Sequence, residues 1–314
     1  MSAEELLEFY RESGEAMFEK TFLLERLKSF YKDEPLARKL KAIFHDGNGQ
    51  PADLTSDRLR CLLLVVTRNW TTDSPWPIST NPLAKYNDLS RPDSNLRIPL
   101  WQLVRASTAA PVFFPPEVIQ WDPADPRKTF VFVDGGITPY NNPAFLLFRM
   151  ATQPPYRLNW PTGERNLLLV SVGTGAAPSE TAATNRDILG NLKSLTSELM
   201  YGIQVDQDIN CRTFGRCAHG AEIDREMGNL VLPGIGNDPG GGDHGKLFRY
   251  VRYNADLSQR GLVALGLGNI PSAAVQQMDA VDQIDNLRSV GRAVAKEVEL
   301  SHFGFFEDTK LKEA

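Results

Sequence analysis

The chain has 314 residues, of which 34 are basic and 39 acidic, giving a net charge of −5, and 42% are hydrophobic. This balance excludes a nucleic-acid footprint and a purely electrostatic attachment to anionic lipid, and no apolar stretch reaches the length of a membrane span. The three cysteines, Cys61, Cys211 and Cys217, are too few and too odd for a disulfide framework and point to a reducing cytoplasm, with no signal peptide in view.

Taken in chain order, Ser2-Ala-Glu-Glu5 is a capping-box signature, and Leu6, Leu7, Tyr10, Met17 and Phe18 follow on one helical face. Glu34 to Phe44 reads as a second helix with Pro35 in its first turn, stopped at Asp46-Gly47-Asn48-Gly49. Arg60 to Thr67 is a buried-strand pattern. Asn69 to Pro99 is long, proline-bearing and irregular, and reads as surface wrapping or as a lid over a site. Leu100 to Ala110 reads as a helix ending before Pro111, and Phe130 to Val133 and Leu167 to Val172 as two further buried strands. Asn141 to Thr152 between those strands is a helix, apolar nearly all round.

Past Gly175 the pattern predicts a helix over Asp187 to Asp208, a short strand over Asn229 to Leu232, and an edge strand over Leu247 to Tyr253. Ile284, Leu287, Val290, Val294 and Val298 mark an amphipathic helix. Strands alternating with helices imply an α/β fold with a mostly parallel sheet covered on both faces, over a single domain spanning residues 1–314.

Within this frame the most telling stretch is Thr129-Phe-Val-Phe-Val-Asp134-Gly135-Gly136. A carboxylate at the carboxyl end of a buried strand lies where open α/β sheets place catalytic groups, and the two glycines permit a sharp turn and close approach. The competing reading is an Asp that caps the following turn. Cys211, Cys217 and His219 cluster, but their spacing fits no common zinc pattern and they read as structural. Gly240 to Lys246 matches the first part of a phosphate-binding loop and fails at Leu247, so it reads as a surface loop. Gly173-Thr174-Gly175 has the make-up of an anion cradle, although a tight turn after a strand accounts for it.

Three blocks in order, Arg105-Ala-Ser-Thr-Ala-Ala-Pro-Val-Phe-Phe-Pro-Pro116, the strand ending in Asp134-Gly135-Gly136, and Leu167-Leu-Leu-Val-Ser-Val-Gly-Thr-Gly175, closely resemble the patatin-like phospholipase family. The resemblance runs over nearly the whole chain and is densest within about residues 60–175. It implies a three-layer α/β/α fold and lipid acyl-ester hydrolysis by a Ser–Asp dyad, with Asp134 as the base and Gly135 and Gly136 supporting it. No metal or organic cofactor is implied, because dyad hydrolysis needs only water. The implied partners are a lipid or other acyl ester and, transiently, a membrane surface.

The chain departs from the family at two motifs. It contains no G-x-S-x-G nucleophile elbow and no glycine-rich oxyanion turn ahead of the matching region. The resemblance therefore implies a chain that starts after the elbow, without the N-terminal strands, and carries the Asp half of the dyad only. Ser107, near a helix end, and Ser171, inside a strand, lack the strand-to-helix turn flanked by glycines that an elbow requires. None of His45, His219, His244 and His302 lies in a triad context. The alternative to an acyl hydrolase is a non-catalytic relative that keeps the fold for lipid binding or protein association.

Overall fold

The computed structural model describes residues 2–18, 29, 31–177, 188–224, 226–231, 245–277 and 279–306, with backbone alone over 188–197. The chain divides into two compact units, Met1–Asn141 with Pro154–Leu158 and Asn185–Met200, and Asn142–Gln153 with Asn159–Thr184 and Tyr201–Ala314.

The first unit opens with helix α1 (Ala3–Met17). Its capping box is complete: the Glu5 amide donates to Ser2 Oγ at 3.2 Å and the Ser2 amide donates to Glu5 Oε2 at 2.6 Å. Helix α2 (Glu34–Ile43) carries Pro35 in its first turn, where the missing N–H costs no hydrogen bond. Four strands, β1 (Leu64–Asn69), β2 (Ser74–Ser79), β3 (Glu117–Gln120) and β4 (Thr129–Asp134), form a sheet in the order β2-β1-β4-β3, and helix α3 (Leu100–Ser107) lies between β2 and β3 in sequence. Phe132, Ile119, Ile78, Leu103 and Trp121 make one core cluster with this sheet. Met17, Tyr31, Leu36, Leu40, Phe113 and Phe114 make a second, under α1 and α2.

Every pairing in this sheet is antiparallel, with Thr67 opposite Asp134, Val66 opposite Pro77 and Val131 opposite Val118. This corrects the expected mostly parallel sheet, and the strands read at Arg60 to Thr67, Phe130 to Val133 and Leu167 to Val172 do not all share it: the last belongs to a separate sheet. The connections explain it. β1 and β2 are joined by residues 70–73 and β3 and β4 by residues 121–128. Parallel strands need a crossover of roughly a dozen residues or more, and connections this short close hairpins instead. The stretch from Asn69 to Pro99, expected to be irregular, contains β2 and a 3-10 turn at Asn95–Arg97.

The second unit holds helix α4 (Ala144–Thr152), strand β5 (Leu168–Val172), the later part of helix α5 (Ile188–Phe214), and strands β6 (Arg216–His219) and β7 (Arg249–Tyr253). Helices α6 (Gln259–Ala264), α7 (Ser272–Val275) and α8 (Ile284–Ala295) follow. Its three-stranded sheet, in the order β5-β7-β6, is parallel throughout. The segment Leu247 to Tyr253 is therefore the central strand and not an edge: Phe248, Tyr250 and Val251 are fully buried. The expected strand over Asn229 to Leu232 is not formed at residues 229–231, and Leu232 lies outside the described residues.

Lys246 is buried, and its Nζ donates to the carbonyls of Arg212 (3.2 Å) and Thr213 (2.8 Å) at the end of α5. It thereby satisfies orphan carbonyls where the helix dipole favours a cation. Lys246, the last residue of the segment read as a surface loop, is thus buried and serves the fold; residues 240–244, including His244, lie outside the described residues.

Candidate active site

Asp134 closes β4. Its amide donates to the carbonyl of Ala109 at 3.0 Å, tying the strand end to the residues that follow α3. Its Oδ1 accepts the Gly136 N–H at 2.6 Å and so caps the 3-10 turn Gly135–Ile137. The capping reading of Asp134 thus holds in this structure, and it occupies one carboxylate oxygen. Oδ2 accepts no hydrogen bond among the described residues, and no cation among them pairs with Asp134. The side chain is half-buried, and removal from water pushes its pKa up to about 6, opposed in part by the Gly136 N–H.

The turn is braced on every side. A Cβ added at Gly135 would lie 2.0 Å from the Val66 carbonyl oxygen, so only glycine lets β4 leave the sheet here. The Ser107 hydroxyl donates to that same oxygen at 2.7 Å. Ser107 thus pins α3 to β1, a supporting role and not that of a nucleophile. Thr138, fully buried, donates through Oγ1 to the Gly135 carbonyl at 2.6 Å, and Asn141 Nδ2 donates to the Gly136 carbonyl at 3.1 Å.

Arg105 explains the block that precedes the site. It is completely buried, with its Nη2 donating to the Pro115 carbonyl at 2.8 Å and its guanidinium 5.5 Å from the Phe114 ring. Nε and Nη1 have no partner among the described residues. Burial lowers its pKa, partly offset by Glu117 and Asp33, while burial raises that of Glu117, partly offset by a hydrogen bond from Gln102. Arg105 thereby ties α3 to the Pro111–Pro116 stretch. Val112 in that stretch has φ 74, a left-handed conformation that a β-branched residue adopts only when its surroundings enforce it.

Ser171 belongs to the second unit. It is buried, and its hydroxyl donates to Asn142 Oδ1 at 3.1 Å and accepts from Arg252 Nη1 at 2.8 Å. His219 and His302 stack with ring centroids 4.2 Å apart, and His302 Nδ1 lies 2.9 Å from the Tyr253 hydroxyl. His45 bonds to the carbonyl of Asp46. Cys211 is fully buried and Cys217 half-buried, burial raising both thiol pKa values. Among the described residues no group of three or more His, Cys, Asp or Glu is placed to hold a metal ion. Sequence reasoning passed over Asn142 and Arg252. Their only signals were a second Asn ahead of Pro143 and a cation inside an apolar strand.

Residues 2–148 match the family model described as Patatin-like phospholipase, which supports the resemblance read from the sequence. A search of curated proteins finds no match. The matched segment ends inside α4 and contains Arg105, Asp134, Gly135 and Gly136. The family is one of lipid acyl hydrolases, which makes lipids its substrates. No described helix is long and apolar enough to cross a membrane.

Proposed function

We propose that Asp134 is the base of a Ser–Asp dyad for the hydrolysis of lipid acyl esters. The observation that carries this reading is the state of its carboxylate. One oxygen is held by the Gly136 N–H, the other is unpartnered among the described residues, and burial raises the pKa to about 6. A base with that pKa is mostly ionised at neutral pH and still proton-hungry, the range in which general bases work best. A serine hydroxyl is a weak nucleophile until such a base takes its proton as it attacks. Gly135 and Gly136 fix the carboxylate by closing the turn that donates to it.

The nucleophile and the oxyanion donors are not supplied by a G-x-S-x-G or a glycine-rich turn within these 314 residues. The same observation favours the second reading, a patatin-like protein that binds lipid or a protein partner without catalysis. One experiment separates the two. The chain is assayed alone with a short-chain chromogenic ester, and again when fused behind a patatin-like segment bearing both missing motifs. The dyad reading expects no Asp134-dependent hydrolysis by the chain alone, and hydrolysis by the fusion that Asp134→Asn abolishes. A folded fusion whose activity ignores that substitution overturns the role of Asp134, and a folded but inert fusion favours the binding protein.

A further inference from the structure

The second unit contains a buried cation whose charge no described residue balances. Arg252 sits in the central strand β7, is 5% exposed, and has a single side-chain partner among the described residues, the neutral Ser171 hydroxyl at 2.8 Å. No carboxylate among them pairs with it. The chain treats a neighbouring buried arginine differently. Arg212 is 3% exposed and donates to both oxygens of Asp208 (3.1 and 3.0 Å), to Asn229 Oδ1 and to the Ala221 carbonyl. A buried guanidinium without a counter-ion is costly, and Arg252 keeps most of its five donors free.

What surrounds Arg252 has the same character. Ser171 stands directly opposite it in the parallel β5–β7 register, near the carboxyl ends of both strands. Ser171 donates to Asn142 Oδ1, which also accepts the Ala144 N–H at 3.2 Å. The amide is thereby oriented, and its other end, Asn142 Nδ2, is buried with no partner. Asn142 immediately precedes α4, a nine-residue helix whose N-cap is Pro143, with no capping side chain and no acidic residue in its first turn. No acidic side chain offsets the positive end of that helix, where Asn142 Oδ1 takes the Ala144 N–H. On the other side of Arg252, a Cβ at Gly173 would lie 2.0 Å from Asn254 Oδ1 and 2.8 Å from Arg252 Nη2, so only glycine lets both side chains approach the strand end. The turn Gly173–Gly175 is anchored by the Gly175 N–H bonding to Asn254 Oδ1 at 3.0 Å.

A guanidinium and a buried, unpartnered amide N–H2 are thus linked through the Ser171 hydroxyl, beside the start of α4 and near the carboxyl ends of two parallel strands, where open α/β sheets take their ligands. We infer that Arg252, Asn142 and the N-terminus of α4 form an oxyanion site that takes a phosphate group, either free phosphate or the phosphodiester of a lipid headgroup. Arg252 supplies the charge and a planar fork of donors. Asn142 Nδ2 supplies a donor held in place by the bonds its oxygen accepts. Ser171 positions both. The site lies wholly within the second unit and does not depend on the role given to Asp134.

The test uses the full chain and three probes at matched ionic strength: inorganic phosphate, glycerophosphocholine as a soluble phosphodiester headgroup, and chloride as the control. Thermal unfolding and calorimetric titration are read for the wild type and for Asn142→Asp. In the wild type, at least one phosphate probe is expected to raise Tm saturably where chloride does not. Tighter binding of glycerophosphocholine identifies a lipid headgroup, and tighter binding of inorganic phosphate identifies a free anion. The new carboxylate in Asn142→Asp lies one bridging hydroxyl, that of Ser171, from Arg252 and supplies a negative charge beside it. This variant should melt at a higher temperature without ligand and bind phosphate about ten-fold or more weakly, the loss of one charge-assisted contact. Arg252→Gln should lose the phosphate response while melting no lower than the unliganded wild type. A wild type that answers no phosphate probe beyond chloride, or an Asn142→Asp variant that binds as the wild type does, overturns the site.

Discussion

Gly135 passes so close to Val66 that a methyl group on it would lie 2.0 Å from the Val66 carbonyl oxygen and 2.7 Å from its carbonyl carbon. The neighbour is backbone of the paired strand β1, which cannot swing aside as a side chain would. Gly135→Ala must therefore push β4 away from β1 at the point where Thr67 and Asp134 face each other. The expected cost is about 1–3 kcal/mol or more, read as a shift in denaturant midpoint. Gly136→Ala should be milder, because its added Cβ would meet the side-chain atoms Asn141 Nδ2 at 2.9 Å and Met200 Cε at 3.1 Å. Equal costs for the two would mean that the β1–β4 contact is looser than described.

Burial of the Asp134 carboxylate works against the folded state at neutral pH. Its pKa rises from 3.8 to about 6 on folding, chiefly through burial. Between those values the folded state binds more protons than the unfolded one, so stability increases as pH falls through 6 and the penalty is gone below 3.8. Above 6 the penalty is at most about 3 kcal/mol, two pK units. Asp134→Asn keeps an oxygen for the Gly136 N–H and removes the charge. It should raise Tm at pH 7.5 and leave it nearly unchanged at pH 4. A variant less stable than the wild type at pH 7.5 would show that the carboxylate is stabilised by something other than that one hydrogen bond.

Asp93 presents the opposite sign. It is bonded by Arg91 through Nε (2.8 Å) and Nη2 (2.9 Å), and by Lys128 Nζ. These hydrogen bonds hold its carboxyl well below the usual range. A depressed carboxylate contributes stability that is present above its unfolded pKa of 3.8 and is lost as pH falls toward the folded value. Lys128 and Asp93 join the residues before β4 to the loop before Ser94, which caps the Asn95–Arg97 turn. Asp93→Asn should lower Tm at pH 7 and flatten the acid limb of the melting curve below pH 4. The arginine is substantially exposed, so salt should weaken the effect. An acid limb identical to that of the wild type would assign the loss of stability to other carboxylates.

The sequence made some features of this fold legible and concealed others for physical reasons. The run from Thr129 to Val133 and the glycines after Asp134 announced a buried strand and a tight turn. Both are present, because β-branched and aromatic side chains suit a pleated surface and Gly135 alone fits against Val66. The Ser2–Glu5 box was legible because capping is local. Strand direction was not. An apolar run reads the same in a parallel or an antiparallel ladder, and the short loops that decide it were hidden in segments taken as irregular. β2 was missed because Pro75 and Pro77 argue against a strand, yet β2 is an edge strand, the one place a sheet tolerates them. Arg252 made Leu247 to Tyr253 look like an edge. A charge in a central strand is unexpected unless something else makes use of it.

His219 supplies the last expectation, because its pH dependence runs against that of Asp134 in an overlapping window. Burial lowers its pKa from 6.5, the stacked His302 lowers it further, and Glu297 at 3.8 Å and Glu299 offset this in part. Tyr253 completes the surroundings, its ring centroid 4.9 Å from that of His219. With the folded value depressed, the unfolded chain binds the extra proton. This contribution to stability is therefore fully present above 6.5 and is lost as pH falls through the folded value. His219→Phe preserves the stacking against Tyr253 and cannot take a proton. It should remove the part of the Tm decline that sets in below pH 6.5, while Asp134→Asn removes a rise over the same range. Each variant alone should tilt the pH profile in its own direction, and the double variant should be flatter than either. If His219→Phe leaves the slope below pH 6.5 untouched, His219 does not titrate with folding, and the slope belongs to other groups.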